Sequence, residues 1–485
     1  MSEVSWAHFS DLHTLFNPEQ EDLKNFLLYG KQNFYNDTTS DEQLLDNRGV
    51  CGFLAKHPVD QIIITGDLFD KGMWDAETVN SVETSICALY DYSNEGWEKR
   101  GIEKKTGLLL CAGNHDLTRD YVEVDNGTPV SRRNAIQRLS KSDSGSISSA
   151  NSADLLVLNG AFKPFCEAAK RILSKVEGDT NCINKNICIS FVENINDIAF
   201  IGINSALSAG QPRDNANDRE RLSTTFDNFL NAHSRFELQK AQNSYKSYVD
   251  LASMMINGAP DDEKHLLLPP ETELTSIGRA TWNSAIAYMH HPIEFFNDRA
   301  RSRLGQFLRD NHVRIVLCGH THRPSINSTL TVQSTALSHD PYKVIESRVG
   351  GCFADASDYN LISFSIGKMS SSINFDGQAD NISIHTFSYM SSPAFINRWF
   401  WREEKFETRY PTQDETNGGI TVSRYTQPQN NEEAANSQEG VSVFEDSSEN
   451  DRIKQENFSS FDSLEINQKI KSAKEYFDGH RRTSR

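Results

Sequence analysis

The 485 residues carry a formal charge of −18, and such acidity argues against sequence-independent binding to duplex nucleic acid, which depends on Lys and Arg neutralising phosphates. No apolar run approaches the roughly 20 residues that a membrane-spanning helix needs, so no membrane association is expected. The length exceeds what one hydrophobic core usually fills, which predicts one large domain with additions, or two domains.

In chain order, Val4 to Phe9 predicts a first strand, entered with no charged and apolar leader before it and followed by Asp11 and His13. A helical stretch follows around Glu19 to Leu28, with Leu23, Phe26 and Leu27 on one face, and a second helix is expected near Asp41 to Leu54. Ile62 to Asp70 reads IIITGDLFD. This β-branched run stops at Gly66 and presents Asp67 and Asp70 beyond the carboxyl end of a buried strand, where open α/β sheets place their chemistry. Val79, Val82, Ile86 and Leu89 keep helical spacing over Ala76 to Tyr90, and the strand Leu108 to Cys111 then leads to Gly113, Asn114, His115 and Asp116.

Between Leu117 and Lys185 the pattern loosens around the Ser-rich segment Ser140 to Ser152, which reads as an insertion. Arg119, Arg132, Arg133 and Arg138 either give it a phosphate-attracting face or belong to a solvated helix. Ile187 to Val192 and Ile198 to Ile203 read as a hairpin with Asn194 to Asp197 as its turn. Arg221 to Ile256 reads as a long helix within a second insertion at 221–276, and Asp261 to Ser276 as a loop broken by Pro269 and Pro270. The strand Ala285 to Met289 ends in His290 and His291, a helix covers Arg299 to Asp310, and the strand Ile315 to Cys318 ends in Gly319, His320 and His322. Strands at Lys343 to Val349, Asn360 to Ile366 and Ile382 to Phe387 suit a second sheet packed on the first, and the core is expected to close near Arg409. From Pro411 to Asp451 the only basic residue is Arg424, so 410–460 reads as a disordered acidic linker. Ile466, Ile470, Ala473 and Phe477 then recur at helical spacing within 461–485. That short amphipathic helix with a basic end either docks on a protein partner or is marginal and without a role.

The eight cysteines include no C-x-x-C pair, and Cys111 and Cys318 fall inside apolar strands. Buried reduced thiols and a cytoplasmic location are expected, with a Cys182–Cys188 disulfide as the alternative.

Five apolar strands thus deliver D-x-H, GDxxD, GNHD, His-His-Pro and GHTH in turn. Any one of these motifs is weak. Together and in this order, over roughly Val4 to Phe387, they resemble the calcineurin-like metallophosphoesterase superfamily. The resemblance implies an α/β fold, a four-layer α-β-β-α sandwich of two packed mixed sheets, with two divalent metal ions as cofactors. It implies Asp11, His13, Asp67 and His322 around one ion and Asp67, Asn114, His290 and His320 around the other, with Asp67 as the bridge. Mixed oxygen and imidazole ligands suit manganese first, with iron or zinc as alternatives, better than magnesium. A water bridging two such ions is acidified towards neutrality and available for in-line attack on phosphorus. His115 is then the general acid or transition-state stabiliser at the leaving group, and Asp116 orients its imidazole. Asp70 supports the site or caps its loop, and His291 either supports a ligand or touches substrate.

The implied function is that of a binuclear phosphodiesterase or phosphomonoesterase acting on a nucleotide or other small phosphoester. Two alternatives stand beside it. One is a manganese-dependent DNA nuclease, since GDLFD and GNHD also resemble the repair nuclease branch, although Thr14, Leu15 and Phe16 replace its usual Leu-Gly after D-x-H. The other is a non-catalytic metal-binding scaffold that recruits a partner through the tail helix.

Overall fold

Alternating side chains along the apolar strands decide the architecture. In the computed structural model, the described residues are 2–12, 25, 27–30, 49–69, 74–118, 121–125, 128–140, 145–147, 152–177, 191–209, 264–277, 282–332, 342–351, 362–374, 377–391, 399–410 and 422–425. Strands β1 (Ser2–Phe9), β2 (Gln61–Thr65) and β3 (Gly107–Cys111) run parallel, with helices α1 (Gly49–Lys56) and α2 (Ala76–Lys99) between them in sequence. Val4, Trp6, Ile63 and Leu109 point to one face and join one buried cluster; Ala7, Phe9, Ile62, Ile64, Leu108 and Leu110 point to the other and join Phe53, Leu54, Val82 and Ile86 of the helices. A period of two places every second residue on each face, so a strand apolar throughout must be covered on both sides.

The second half repeats the device. After β4 (Val122–Asp125), β5 (Thr128–Ser131) and helices α3 (Arg132–Ser140), α4 (Ser152–Gly160) and α5 (Lys163–Glu177) come β6 (Phe191–Ile195) and β7 (Ile198–Gly202). Then follow α6 (Glu271–Ser276), β8 (Ser284–Tyr288), α7 (Asp298–Asp310) and β9 (Val313–Cys318). Phe200, Ile286, Tyr288, Ile315 and Leu317 enter the same cluster as Trp6 and Ile63, while Ala285, Ala287 and Val316 join Ala300, Leu304 and Leu308 of α7 on the outer face. Two sheets therefore pack face to face with helices outside, the four-layer α/β sandwich expected from the sequence.

The late strands do not make the second sheet by themselves. With β10 (Ser325–Val332), β11 (Tyr342–Arg348), β12 (Ile362–Asn374), β13 (Gly377–Ser391), β14 (Trp399–Tyr410) and β15 (Val422–Tyr425), the orders are β15-β14-β13-β12-β1-β2-β3 and β10-β11-β9-β8-β7-β6. β12 pairs antiparallel with β1, and β11 parallel with β9, so each set of parallel strands is extended on its open side. Arg314 of β9 and Asp380 of β13 pair across the two sheets at 2.8 Å, with Ser284 Oγ donating to the same carboxylate at 2.7 Å.

Several expectations shift. Helix α2 continues past Tyr90 to Lys99 because Ser93, Gly96 and Trp97 extend its buried face, and Trp97 Nε1 reaches the Val59 carbonyl. The β6–β7 turn narrows to Asn196 and Asp197, both at positive φ, as a two-residue hairpin demands. Pro270 stands at the head of α6 rather than breaking a loop. The edge strand β15 lies inside the stretch read as a disordered linker, so the sheet runs past Arg409. Arg132 does not face solvent: it is buried, and its guanidinium donates to the Leu207 and Ala209 carbonyls, while Arg138 pairs with Asp154. Neither forms a phosphate-attracting face. Arg119 and the side chain of Arg133 lie outside the described residues.

Cys51, Cys87, Cys111 and Cys318 are free thiols, as expected, whereas Cys166 is disulfide-bonded, against the reduced reading. The chain divides into two units, Met1–Pro212 with Asp261–Gln427, and Arg213–Pro260 with Pro428–Arg485. The second unit, including the helices expected over Arg221 to Ile256 and 461–485, lies outside the described residues, as do Cys182 and Cys188. Among the described residues no helix is long and apolar enough to cross a membrane.

Candidate metal centre

Strands β1, β2, β3, β8 and β9 each end in a loop, and the sequence loads those loops with carboxylates, imidazoles and an amide. Asp11, Asp67, His320 and His322 all adopt positive φ, four of the eight non-glycine residues that do so among the described residues. This conformation is uncommon for side chains other than glycine and collects at functional sites, held there by surrounding structure. Two glycines explain how the loops come so close. A Cβ on Gly113 would fall on the Asp67 carboxylate and amide, and one on Gly319 would fall on Ser10 and the Asp11 carboxylate. The glycines of GNHD and GHTH thus leave the space that two candidate ligands fill.

The donor atoms converge. His290 Nε2 lies 3.2 Å from Asp67 Oδ2 and 2.8 Å from Asn114 Oδ1. His320 Nδ1 lies 3.1 Å from the same Asn114 oxygen and 3.2 Å from His290 Nε2. On the other side of Asp67, His322 Nε2 stands 3.2 Å from Asp11 Oδ1, and Asp11, Asp67 and His290 offer ligand atoms within 4.8 Å of one another. His290, His291 and His320 form a second such group. Nitrogen and oxygen acceptors gathered this densely, with Asp11, Asp67 and His290 almost fully buried, suit divalent cations. Of the residues that the sequence singled out, the structure brings together Asp11, Asp67 and His322, and beside them Asp67, Asn114, His290 and His320. His13 and Asp70 lie outside the described residues.

Hydrogen bonds behind these candidate ligands fix their orientation. His290 Nδ1 donates to the Thr65 carbonyl at 2.7 Å, which turns Nε2 towards Asp67 and Asn114. Ser10 Oγ donates to that same carbonyl, and His8 Nε2 meets Thr65 Oγ1 at 2.9 Å. The His320 amide donates to Asp11 Oδ2 at 2.9 Å, and the His115 amide to Asp67 Oδ1 at 2.7 Å. Thr65 gave no signal in the sequence, because a backbone carbonyl has no side-chain signature, and neither did Ser10, whose hydroxyl serves that carbonyl.

Asp116 does not act as expected from its place beside His115. Its two oxygens accept the amides of Phe69 at 3.0 Å and Gly113 at 2.9 Å, so the buried carboxylate braces the GNHD loop against the GDLFD loop. His115 is half-buried, with its amide tied to Asp67. His291 is fully buried, its ring 3.1 Å from Ser205 Oγ and 4.4 Å centroid to centroid from His320.

The charge balance favours a cation here. Burial alone would raise the Asp11 carboxyl, but the neighbouring His322 and His290 hold it well below the usual range. Burial alone would lower His290, yet the charge of Asp67 and its bond, with Asp11 behind it, raise it to about 9. Burial and the His290 charge lower His320 to about 3. Burial and then the Asp67 charge raise Asp116 to about 7. A proton on His290 Nε2 occupies the direction a metal ion would take, so the two compete.

Residues 5–208 match the family model described as calcineurin-like phosphoesterase. Over that segment the chain is similar to the calcineurin-like phosphoesterases. A solved dimetal phosphatase from Danio rerio is 9% identical, with 79% of this chain and 96% of that chain covered at a TM-score of 0.35; so loose a likeness adds nothing to what strand order and site establish. No curated protein matches the chain. The match over residues 5–208 supports hydrolysis of phosphate esters with divalent metal ions. The matched segment carries Asp11, Asp67, Asn114 and His115, and the loops after β8 and β9 add the candidate ligands His290, His320 and His322 from beyond it.

Proposed function

We propose that the chain is a binuclear phosphodiesterase or phosphomonoesterase acting on a nucleotide or another small phosphoester. The observation that carries this reading is the convergence of Asp67 Oδ2, Asn114 Oδ1, His290 Nε2 and His320 Nδ1 beside the Asp11–His322 pair. Asp11, Asp67 and His322, with His13, would hold one ion, and Asp67, Asn114, His290 and His320 the other, Asp67 serving both. When bound, such ions supply Lewis acidity at the phosphoryl oxygens and a strong nucleophile at neutral pH. The chain does the rest: His115 places a ring nitrogen at the leaving oxygen and delivers its proton, and the Asp67 bond to the His115 amide keeps that loop in register. Asp116 holds the loop rather than the ring. Manganese is the preferred ion, with iron and zinc accommodated by the same donors.

The formal charge of −18 weighs against a nuclease, and the donors gathered among the described residues weigh against a scaffold without chemistry. Free thiols at Cys51, Cys87, Cys111 and Cys318 support a cytoplasmic location, and the Cys166 disulfide opposes it. A protein partner for the tail helix rests on its sequence pattern alone. The test is a substrate panel with manganese: chromogenic mono- and diesters, cyclic nucleotides, dinucleotides, and single- and double-stranded DNA. Turnover of small esters with intact DNA supports the reading; DNA cleavage that weakens steeply with salt would replace it with the nuclease.

A further inference from the structure

The turn that follows His290 and His291 is gripped from another strand by a buried acid–base network. Glu346 of β11 is completely buried, a position a carboxylate tolerates only when paired. Its Oε2 accepts the Ile293 amide at 2.9 Å, and its Oε1 accepts Arg348 Nε at 2.8 Å. Arg348 Nη1 reaches on to Glu294 Oε1 at 3.0 Å. Two ties thus run from one strand to the single-turn 3-10 helix Ile293–Phe295, which begins three residues after His290.

The same turn touches the other imidazole. Phe295 packs edge-on against His320, with ring centroids 4.7 Å apart and planes at 89°. On its far side the turn is held by bonds between Leu266 and the Phe295 carbonyl and between Asn297 and the Leu266 carbonyl. Glu346 therefore reaches His290 through a short backbone and His320 through the Phe295 ring, and these two histidines come 3.2 Å apart at Asn114.

We propose that Glu346 and Arg348 are positioning residues for the ion held by Asp67, Asn114, His290 and His320. This rests on reading those four as ligands. Neither residue touches the reacting atoms; both act by holding the turn. Removing partners that lie behind metal ligands typically costs about 10- to 100-fold in metal affinity.

The test uses the full metal-stripped chain, manganese titrated by calorimetry, and cobalt added separately for its visible spectrum. Glu346→Ala removes the tie to Ile293 and the carboxylate that pairs with Arg348, leaving Arg348 bonded to Glu294, and Glu346→Gln and Arg348→Lys each weaken the charged pairing while keeping its shape. Asp380→Asn is the control, because it breaks a different buried ion pair between the sheets. Manganese affinity is expected to fall about tenfold or more in Glu346→Ala, less in the two milder variants, with a changed cobalt band in each. Asp380→Asn is expected to melt earlier and bind both metals unchanged. Should Glu346→Ala fail to fold, the two milder variants carry the measurement. Unchanged affinity and an unchanged cobalt band in Glu346→Gln and Arg348→Lys, however far their melting falls, would overturn the proposal. An unaltered chain that binds neither metal would instead bring down the ligand reading, and this inference with it.

Discussion

Asp67 meets two demands at once, one oxygen accepting the His115 amide and the other facing His290 Nε2. The two neighbours are therefore separable by substitution. His115→Ala keeps the backbone amide that Asp67 accepts, so metal content by emission spectrometry should be unchanged while kcat falls about a hundredfold or more, the usual share of a proton-transferring side chain. Metal loss in that variant would make His115 a ligand. The His290 ring gives a pH signature. Its raised pKa, about 9, means that a proton holds the ligand direction below that value. Apparent manganese affinity should therefore rise with pH and level off above about 9, and calorimetry in buffers of different ionisation enthalpy should record proton release on binding. Affinity that is flat from pH 6 to 9 would contradict the charge balance drawn around Asp67.

The loops between elements set how closely the ligands approach. Gly113→Ala would drive a methyl group into the Asp67 carboxylate, so the variant should stay folded by circular dichroism and bind manganese at least tenfold more weakly, in the range seen when ligand supports are disturbed. These loops were legible in the sequence because apolar β-branched runs stop abruptly at glycine and are followed by ligand-type side chains, a pattern visible from Ile62 to Asp67 and from Ile315 to His322. Asp116 was legible as a site residue but not in its role, since adjacency to His115 says nothing of the Phe69 and Gly113 amides that its carboxylate accepts. Thr65 and Glu346 were not legible, because Thr65 acts through its own backbone carbonyl and Glu346 on a backbone amide of a distant segment. The destination of the late strands was equally hidden: the pattern of Ile362 to Ile366 marks a strand, but only tertiary pairing sends it to the open edge of β1.

For the molecule as a whole, the two sheets keep the five ligand loops at one end, so their mutual packing matters to stability more than to chemistry. The Arg314–Asp380 pair bridges them in a fully buried position. Breaking a buried pair from one side costs roughly 3–5 kcal/mol, so Asp380→Asn should melt clearly earlier in a thermal scan; an unshifted melting temperature would show that the pair carries no net stability. The ligand set itself is tested most directly by hydrolysis of a chromogenic phosphodiester with the metal-stripped chain, manganese added back, beside Asp67→Ala. Manganese-dependent turnover in the unaltered chain, with both turnover and stoichiometric metal lost in Asp67→Ala, is the expected result. Turnover that persists in Asp67→Ala, or turnover in the stripped chain without added metal, would contradict a binuclear centre built around Asp67.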